Sequence, residues 1–255
     1  MKNAAPRKPS EHEPLSEPAD RVAQYSCRVL RELPHDPEAF TQGLVIAGGR
    51  LIEGTGLYGG SELRTISRDT GASIERGRLP RDFFGEGIAE RGGFLYQLTW
   101  RERQGFVYRS DTFEEVGRFD YATEGWGLTC YQGDLVMSDG SSELYTLDPE
   151  GSPRQTPLCA VTHEGAPVTG INDIEAVGDR IYANVWKSEL VFEIDPATGA
   201  VTATVDLSGL LPFPSGRVNA DAVLNGIAYD RANRSFWVTG KLWPKMFETR
   251  FEDRR

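Results

Sequence analysis

The chain has 255 residues, a formal net charge of −10 and a sequence pI near 4.9, with 28 Lys and Arg against 38 Asp and Glu. So acidic a balance argues against nucleic acid, whose recognition needs clustered basic residues, and it is equally poor for an anionic membrane surface. There is no apolar run of about 18 residues to cross a membrane as a helix, and three scattered cysteines (Cys27, Cys130, Cys159) have no metal-ligand spacing, so thiols buried in strands are expected.

Residues 1–23 are rich in Pro, Glu and Lys and lack a hydrophobic signal-peptide core. They are expected to form a disordered tail, and the chain as written reads as cytoplasmic. Residues 24–255 are expected to form one all-β domain. It opens with a strand over Tyr25–Leu33 and continues with one short phrase written five times: Gln42-Gly43-Leu44, Glu86-Gly87-Ile88, Trp126-Gly127-Leu128, Asn172-Asp173-Ile174 and Asn225-Gly226-Ile227. A Gly- or Asp-rich turn follows each copy, and then a second strand: Arg50–Thr55, Phe94–Trp100, Asp134–Asp139, Arg180–Trp186 and Ser235–Gly240. Third strands such as Glu143–Leu147 and fourth strands such as Val201–Val205 follow, parted by turns like Asp195-Pro196-Ala197-Thr198-Gly199 that supply preset and left-handed backbone conformers. A period of about 45 residues built from four short strands predicts a five-bladed β-propeller of antiparallel blades. The fifth copy lacks an outer strand while Tyr25–Leu33 lacks a blade, so ring closure by the N-terminal strand is expected; it removes two sheet edges at once. Two long irregular stretches, Cys159–Gly170 and Leu207–Val223, are expected to rim a pocket, the second with a single helical turn.

The repeat superimposes Gln42, Glu86, Trp126, Asn172 and Asn225 at one blade corner, facing the central channel. The ends of the second strands give another ring of Thr55, Trp100, Asp139, Trp186 and Lys241. Polar groups among converging indoles describe a small-molecule site. Glu86 lies between two glycines behind Phe83 and Phe84; desolvation there would raise its pKa toward a proton shuttle's range, while the plainer role is a hydrogen bond to a neighbouring blade. Lys241 suits either a cation–π contact or the polarising of a carbonyl. Only His12, His35 and His163 are available and none occupies a repeat position, which weighs against a catalytic triad or a three-His metal centre; they read as exposed loop residues. A non-catalytic binding propeller and a metal-dependent, lactonase-like propeller are the competing readings. For the latter, Asp139, Asn172, Asp173 and Asn225 are the residues that could hold a Ca²⁺ ion.

The longer motifs are more specific. His35-Asp36-Pro37-Glu38-Ala39-Phe40-Thr41-Gln42-Gly43-Leu44, Phe84-Gly85-Glu86-Gly87, Glu124-Gly125-Trp126-Gly127-Leu128, Ile171-Asn172-Asp173-Ile174-Glu175, Asn184-Val185-Trp186 and Thr239-Gly240-Lys241-Leu242-Trp243-Pro244 resemble the plant and bacterial glutaminyl-peptide cyclotransferases. The resemblance runs from about Tyr25 to Phe251. It implies a five-bladed propeller that converts N-terminal glutamine of peptides and proteins into pyroglutamate with loss of ammonia, unrelated in fold to the zinc-dependent animal enzymes. It further implies Glu86 as the catalytic glutamate and a pocket of Phe40, Gln42, Phe84, Trp100, Trp126, Asn172, Asp173, Trp186 and Lys241. The chemistry of such a ring closure needs an oxyanion to be stabilised, and Lys241 and Asn172 are the candidates for it. No cofactor or metal and no partner beyond the peptide substrate is expected, and the protein is expected to be a monomer. Members of the family are commonly exported, whereas this chain shows no export signal.

Overall fold

The repeated phrase folds as the innermost strand of a blade, and at four of its five copies that strand carries a bulge. In a computed structural model describing residues 22–151, 154–210 and 219–253, the first strand, β1, spans Ala23–Pro34. The tail expected over residues 1–23 lies outside the described residues except for its last two.

Blade one comprises β2 (Thr41–Ala47), β3 (Arg50–Thr55), β4 (Glu62–Ile66) and β5 (Ser73–Arg78). Blade two comprises β6 (Gly85–Arg91), β7 (Phe94–Thr99), β8 (Gln104–Arg109) and β9 (Glu115–Asp120). Blade three follows with β10 (Leu128–Tyr131), β11 (Asp134–Ser138), β12 (Glu143–Leu147) and β13 (Gln155–Ala160). A small hairpin, β14 (Thr162–His163) and β15 (Ala166–Pro167), occupies the first stretch expected to be irregular. Blade four is β16 (Ile171–Val177), β17 (Arg180–Val185), β18 (Leu190–Ile194) and β19 (Val201–Asp206). A single 3₁₀ turn at Ser208–Leu210 leads to β20 (Leu224–Asp230), β21 (Ser235–Gly240) and β22 (Lys245–Asp253) of blade five.

β1 completes the fifth blade, antiparallel to β22 from Tyr25↔Asp253 to Pro34↔Lys245. Its first residues also pair in parallel with β19, from Ala23↔Ala203 to Ser26↔Asp206, fusing blades four and five into one eight-stranded sheet. The inner strands pack in a closed cycle, β2–β6–β10–β16–β20 and back to β2. Each interface between neighbouring blades has its own apolar cluster: Ile52, Leu63, Ile88 and Phe106 between blades one and two, for example, and Leu33, Leu44, Trp237 and Met246 between five and one.

Glycine in the phrase marks where inner strands touch. A Cβ on Gly87 would lie 2.6 Å from the Leu128 nitrogen and the Trp126 carbonyl oxygen, and one on Gly43 would lie 2.9 Å from the Ile88 nitrogen. Glycine permits that approach. In blade four Asp173 takes the glycine's place.

His35 corrects the expectation of an exposed loop histidine. It is buried, with Nδ1 2.7 Å from the Trp243 carbonyl oxygen and Nε2 2.9 Å from Glu53 Oε1, which also accepts from Thr41 Oγ1 at 2.7 Å. It ties the segment after β1 to blades one and five. Cys27, Cys130 and Cys159 are free thiols in β1, β10 and β13, each half-buried.

Candidate active site

Register shifts fall between Thr41 and Gly43, Gly85 and Ile88, Ile171 and Ile174, and Leu224 and Ile227. Each leaves the polar residue of the phrase outside the ladder, and a bulge re-aims the side chain it carries. Here the re-aimed groups are Gln42, Glu86, Asn172 with Asp173, and Asn225. In blade three Gly127 instead donates its N–H to Ser138 Oγ at 2.8 Å, and Trp126 takes the equivalent place.

Gln42, Glu86, Trp126 and Asn172 stand in the wall of a cavity of about 460 Å³, which is lined by Phe40, Gln42, Phe84, Glu86, Trp100, Arg101, Glu124, Trp126, Asn172, Trp186, Asp221 and Lys241 and which Asn225 does not line. Nine of the ten site residues expected from sequence are in that wall. The tenth, Asp173, is fully buried and is not a lining residue; its Oδ2 accepts the backbone N–H of Leu44 (3.3 Å) and of Ile227 (2.9 Å). Asp173 thus stitches blade four to blades one and five. Of the second ring, Thr55 is buried against Glu62 and Asp139 accepts from Ser141, so neither enters the cavity.

Glu86 is 5% exposed and Gln42 Nε2 donates to its Oε1 at 3.0 Å. Burial pushes its carboxyl well above the usual carboxylate range, against the opposing pull of Lys241; the negative charges of Glu124, Glu102 and Asp173 push it further up. Gln42 is itself held, because Asn225 Nδ2 donates to the Thr41 carbonyl at 3.0 Å and lies 3.4 Å from Gln42 Oε1. Lys241 is 7% exposed, its Nζ 4.9 Å from the centre of the Phe40 ring. Burial lowers its pKa, while the attraction of Glu86 works the other way. The site therefore holds an acid and a base each drawn toward its neutral form. Asn172 is buried at the wall, and its Oδ1 has no partner among the described residues.

The aromatic walls are pinned. Glu124 Oε2 accepts from both Trp100 Nε1 (2.7 Å) and Trp126 Nε1 (3.1 Å), while Oε1 accepts from Arg101 Nε at 3.3 Å. The Arg101 guanidinium lies 3.7 Å from the centre of Trp100, and Trp126 meets Trp186 edge-to-face at 6.0 Å. Glu124, Arg101 and Asp221 were not singled out from sequence as pocket residues. The signal for the first two was adjacency: Arg101 follows Trp100, and Glu124 stands two residues before Trp126. Asp221 lies in the second long stretch expected to be irregular, Leu207–Val223, where no strand register places it. Among the described residues no group of three His, Cys, Asp or Glu is disposed to hold a metal ion.

A family model described as glutamine cyclotransferase matches residues 4–251. Glutaminyl-peptide cyclotransferase of Arabidopsis thaliana is 38% identical over 230 residues, which cover 88% of this chain and 71% of that protein. The crystal structure of Myxococcus xanthus glutaminyl cyclase matches with a TM-score of 0.82 at 37% identity, over 92% of this chain and all of the other. With the family model matching residues 4–251, and so every blade, the chain belongs to the glutamine cyclotransferase family.

Proposed function

We propose that the chain cyclises N-terminal glutamine of peptides and proteins to pyroglutamate, releasing ammonia, with Glu86 as the proton shuttle. The observation that carries the reading is a buried carboxyl with a raised pKa, set in an aromatic cavity of about 460 Å³ that has room for a glutamine side chain. The substrate's own α-amine is the nucleophile, so no activated Ser or Cys is required. Held against the γ-carbonyl, the amine gains the effective molarity of an intramolecular reaction. As the new C–N bond forms, the amine's proton passes to the ionised Glu86. Collapse of the tetrahedral intermediate breaks the bond to the amide nitrogen, which takes that proton and leaves as ammonia. One carboxyl with a pKa near the working pH serves both transfers.

Lys241 and Asn172, through its amide N–H, are the candidates to stabilise the oxyanion of that intermediate. Gln42, oriented by Asn225, fixes Glu86 and offers its amide to the substrate. Phe40, Phe84, Trp100, Trp126 and Trp186 pack on the glutamine methylenes and exclude water. Asp173 acts indirectly, holding the inner strands together and adding negative charge beneath Glu86. The five blades from residue 24 onward make one catalytic domain, and a single copy provides every group the reaction uses, which fits a monomer.

The direct test is to incubate pure protein with a Gln-initiated dipeptide and follow ammonia together with loss of the primary amine. Stoichiometric ammonia, unaffected by exhaustive EDTA or phenanthroline, is the expected result. No ammonia, or activity lost on chelation and restored by Zn²⁺, would overturn this chemistry.

A further inference from the structure

We propose that Glu124 is a positioning residue for the cyclisation: one of its carboxylate oxygens fixes the indoles of Trp100 and Trp126 at the separation the glutamine side chain needs. The inference rests on the reading of the cavity as a glutamine site.

The two indoles come from different blades. Trp100 follows β7 of blade two, and Trp126 precedes β10 of blade three. Their backbones meet where Gly125 donates its N–H to the Trp100 carbonyl at 3.0 Å. Gly125 is pressed so closely on blade two that a Cβ there would lie 2.6 Å from the Thr99 carbonyl oxygen and from the Tyr121 hydroxyl. The backbone of Glu124 is thereby anchored beside both walls. Backbone contact alone does not orient the rings, because each indole still turns about its side-chain bonds.

An indole offers one donor and no acceptor. Glu124 Oε2 accepts both, at 2.7 Å from Trp100 Nε1 and 3.1 Å from Trp126 Nε1, and Oε1 accepts Arg101 Nε at 3.3 Å. Arg101 in turn lies over Trp100, which closes a ring of contacts through the three residues. Three donors from two blades converge on one side chain, and a carboxylate has an acceptor oxygen for each side. The constraint spreads along the walls. Trp100 packs against Phe84 at 5.6 Å, and Trp126 packs so closely on Gly140 that a Cβ there would lie 2.6 Å from the indole.

Blade three explains the need. Its phrase carries no bulge and gives the cavity an indole in place of a polar group, so the polar anchor comes from two residues earlier. The side chain of Glu124 is 37% exposed, and exposed ion pairs contribute little to folding. Its bonds therefore serve the shape of the cavity more than the stability of the fold. Displacing the γ-carbonyl by about 1 Å from the amine and Glu86 is enough to slow the reaction about 10²-fold.

The test measures kcat and KM for a Gln-initiated dipeptide, tryptophan emission and Tm in the wild type, Glu124→Ala and Glu124→Gln. The amide of Glu124→Gln can still turn its oxygen to both indoles, whereas alanine leaves them without an acceptor. In Glu124→Ala, kcat should fall about 10- to 100-fold, and the emission should move to longer wavelength as the two indoles loosen toward water. Its Tm should stay within about 4 °C of the wild type. Glu124→Gln should restore the wild-type emission and bring kcat back to within about fivefold, the most that an exposed pair with Arg101 contributes. A loss in Glu124→Ala smaller than about fivefold, or a Glu124→Gln protein as slow as Glu124→Ala, overturns the positioning role. A Glu124→Ala protein that fails to fold overturns it too, by making the residue structural. Emission that does not move in Glu124→Ala removes the pinning whether or not ammonia forms, while no ammonia from the wild type overturns the cyclase reading itself.

Discussion

Replacing Glu86 with glutamine keeps the shape of the side chain and removes its ability to exchange a proton. Gln42 Nε2 stands 3.0 Å from Glu86 Oε1, and a new amide can turn its oxygen to accept that same bond. The wall contacts with Phe84 and Trp100 are untouched, so KM should change little. General acid–base groups contribute about 10²–10⁴-fold, equivalent to about 3–5 kcal/mol of barrier, and kcat should fall by that amount. Stability should move the other way. A carboxyl whose folded pKa is raised binds its proton more tightly in the native state, so the wild type loses stability as pH rises from the unfolded value of 4.5 through the folded one. The glutamine variant has no such loss and should melt at or above the wild-type temperature at pH 8. The assay is ammonia release at saturating Gln-initiated dipeptide, paired with thermal melts at pH 5 and pH 8. Retention of more than about a tenth of wild-type turnover, short of the general acid–base range, would refute the proton-shuttle argument and return Glu86 to a structural role.

Lys241→Met should lower kcat about 10²-fold, the scale of losing one oxyanion partner. The wild-type kcat profile should be bell-shaped, its acid limb above the ordinary carboxylate range and its alkaline limb below the ordinary lysine value of 10.5; the variant should lack the alkaline limb. Glu53→Gln should destabilise by about 1.5–3 kcal/mol, the range for a hydrogen bond to a charged group, and more at pH 5.5 than at pH 9. His35 has a folded pKa raised above 6.5, so its ion pair with Glu53 is fully present below the unfolded value and fades as pH climbs through the folded one. Equal cost at both pH values, read from urea midpoints, would sink that account. Deleting the chain through Leu33 strips β22 of its partner from Tyr25↔Asp253 to Leu33↔Met246 and should give insoluble protein, whereas a soluble product with a cooperative melt would show that closure is dispensable.

The blades were legible because their signal is local and repeated: alternation, turn chemistry and a polar–Gly–aliphatic phrase recur with each inner strand. The same repeat aligned Gln42, Glu86 and Trp126, so most of the cavity wall could be read from it. What escaped has no local pattern. The parallel pairing of Ala23–Ser26 with Ala203–Asp206 joins segments far apart in the chain, and nothing in either announces the other. His35 has no periodic context, so its burial could not be inferred from its neighbours. Asp173 shares the phrase with the cavity residues, yet it stands in the glycine's place and reaches backbone N–H groups instead of the cavity. Glu124 acts through the indoles it pins, a relation that spacing does not encode.

The two ladders of β1 also set an order of events as the chain is made. β1 leaves the ribosome ahead of the blade strands, but its long antiparallel partner β22 follows all of them. β19 arrives earlier and offers the parallel pairing with Ala23–Ser26. The short ladder is thus a mooring: it can hold the leading strand beside the gap that the fifth blade will fill, before that blade exists. Large β topologies fold slowly because distant segments must meet, and their unpaired edges invite aggregation in the interval. A nascent chain moored in this way shortens the final search to the docking of β22 between two strands already in place.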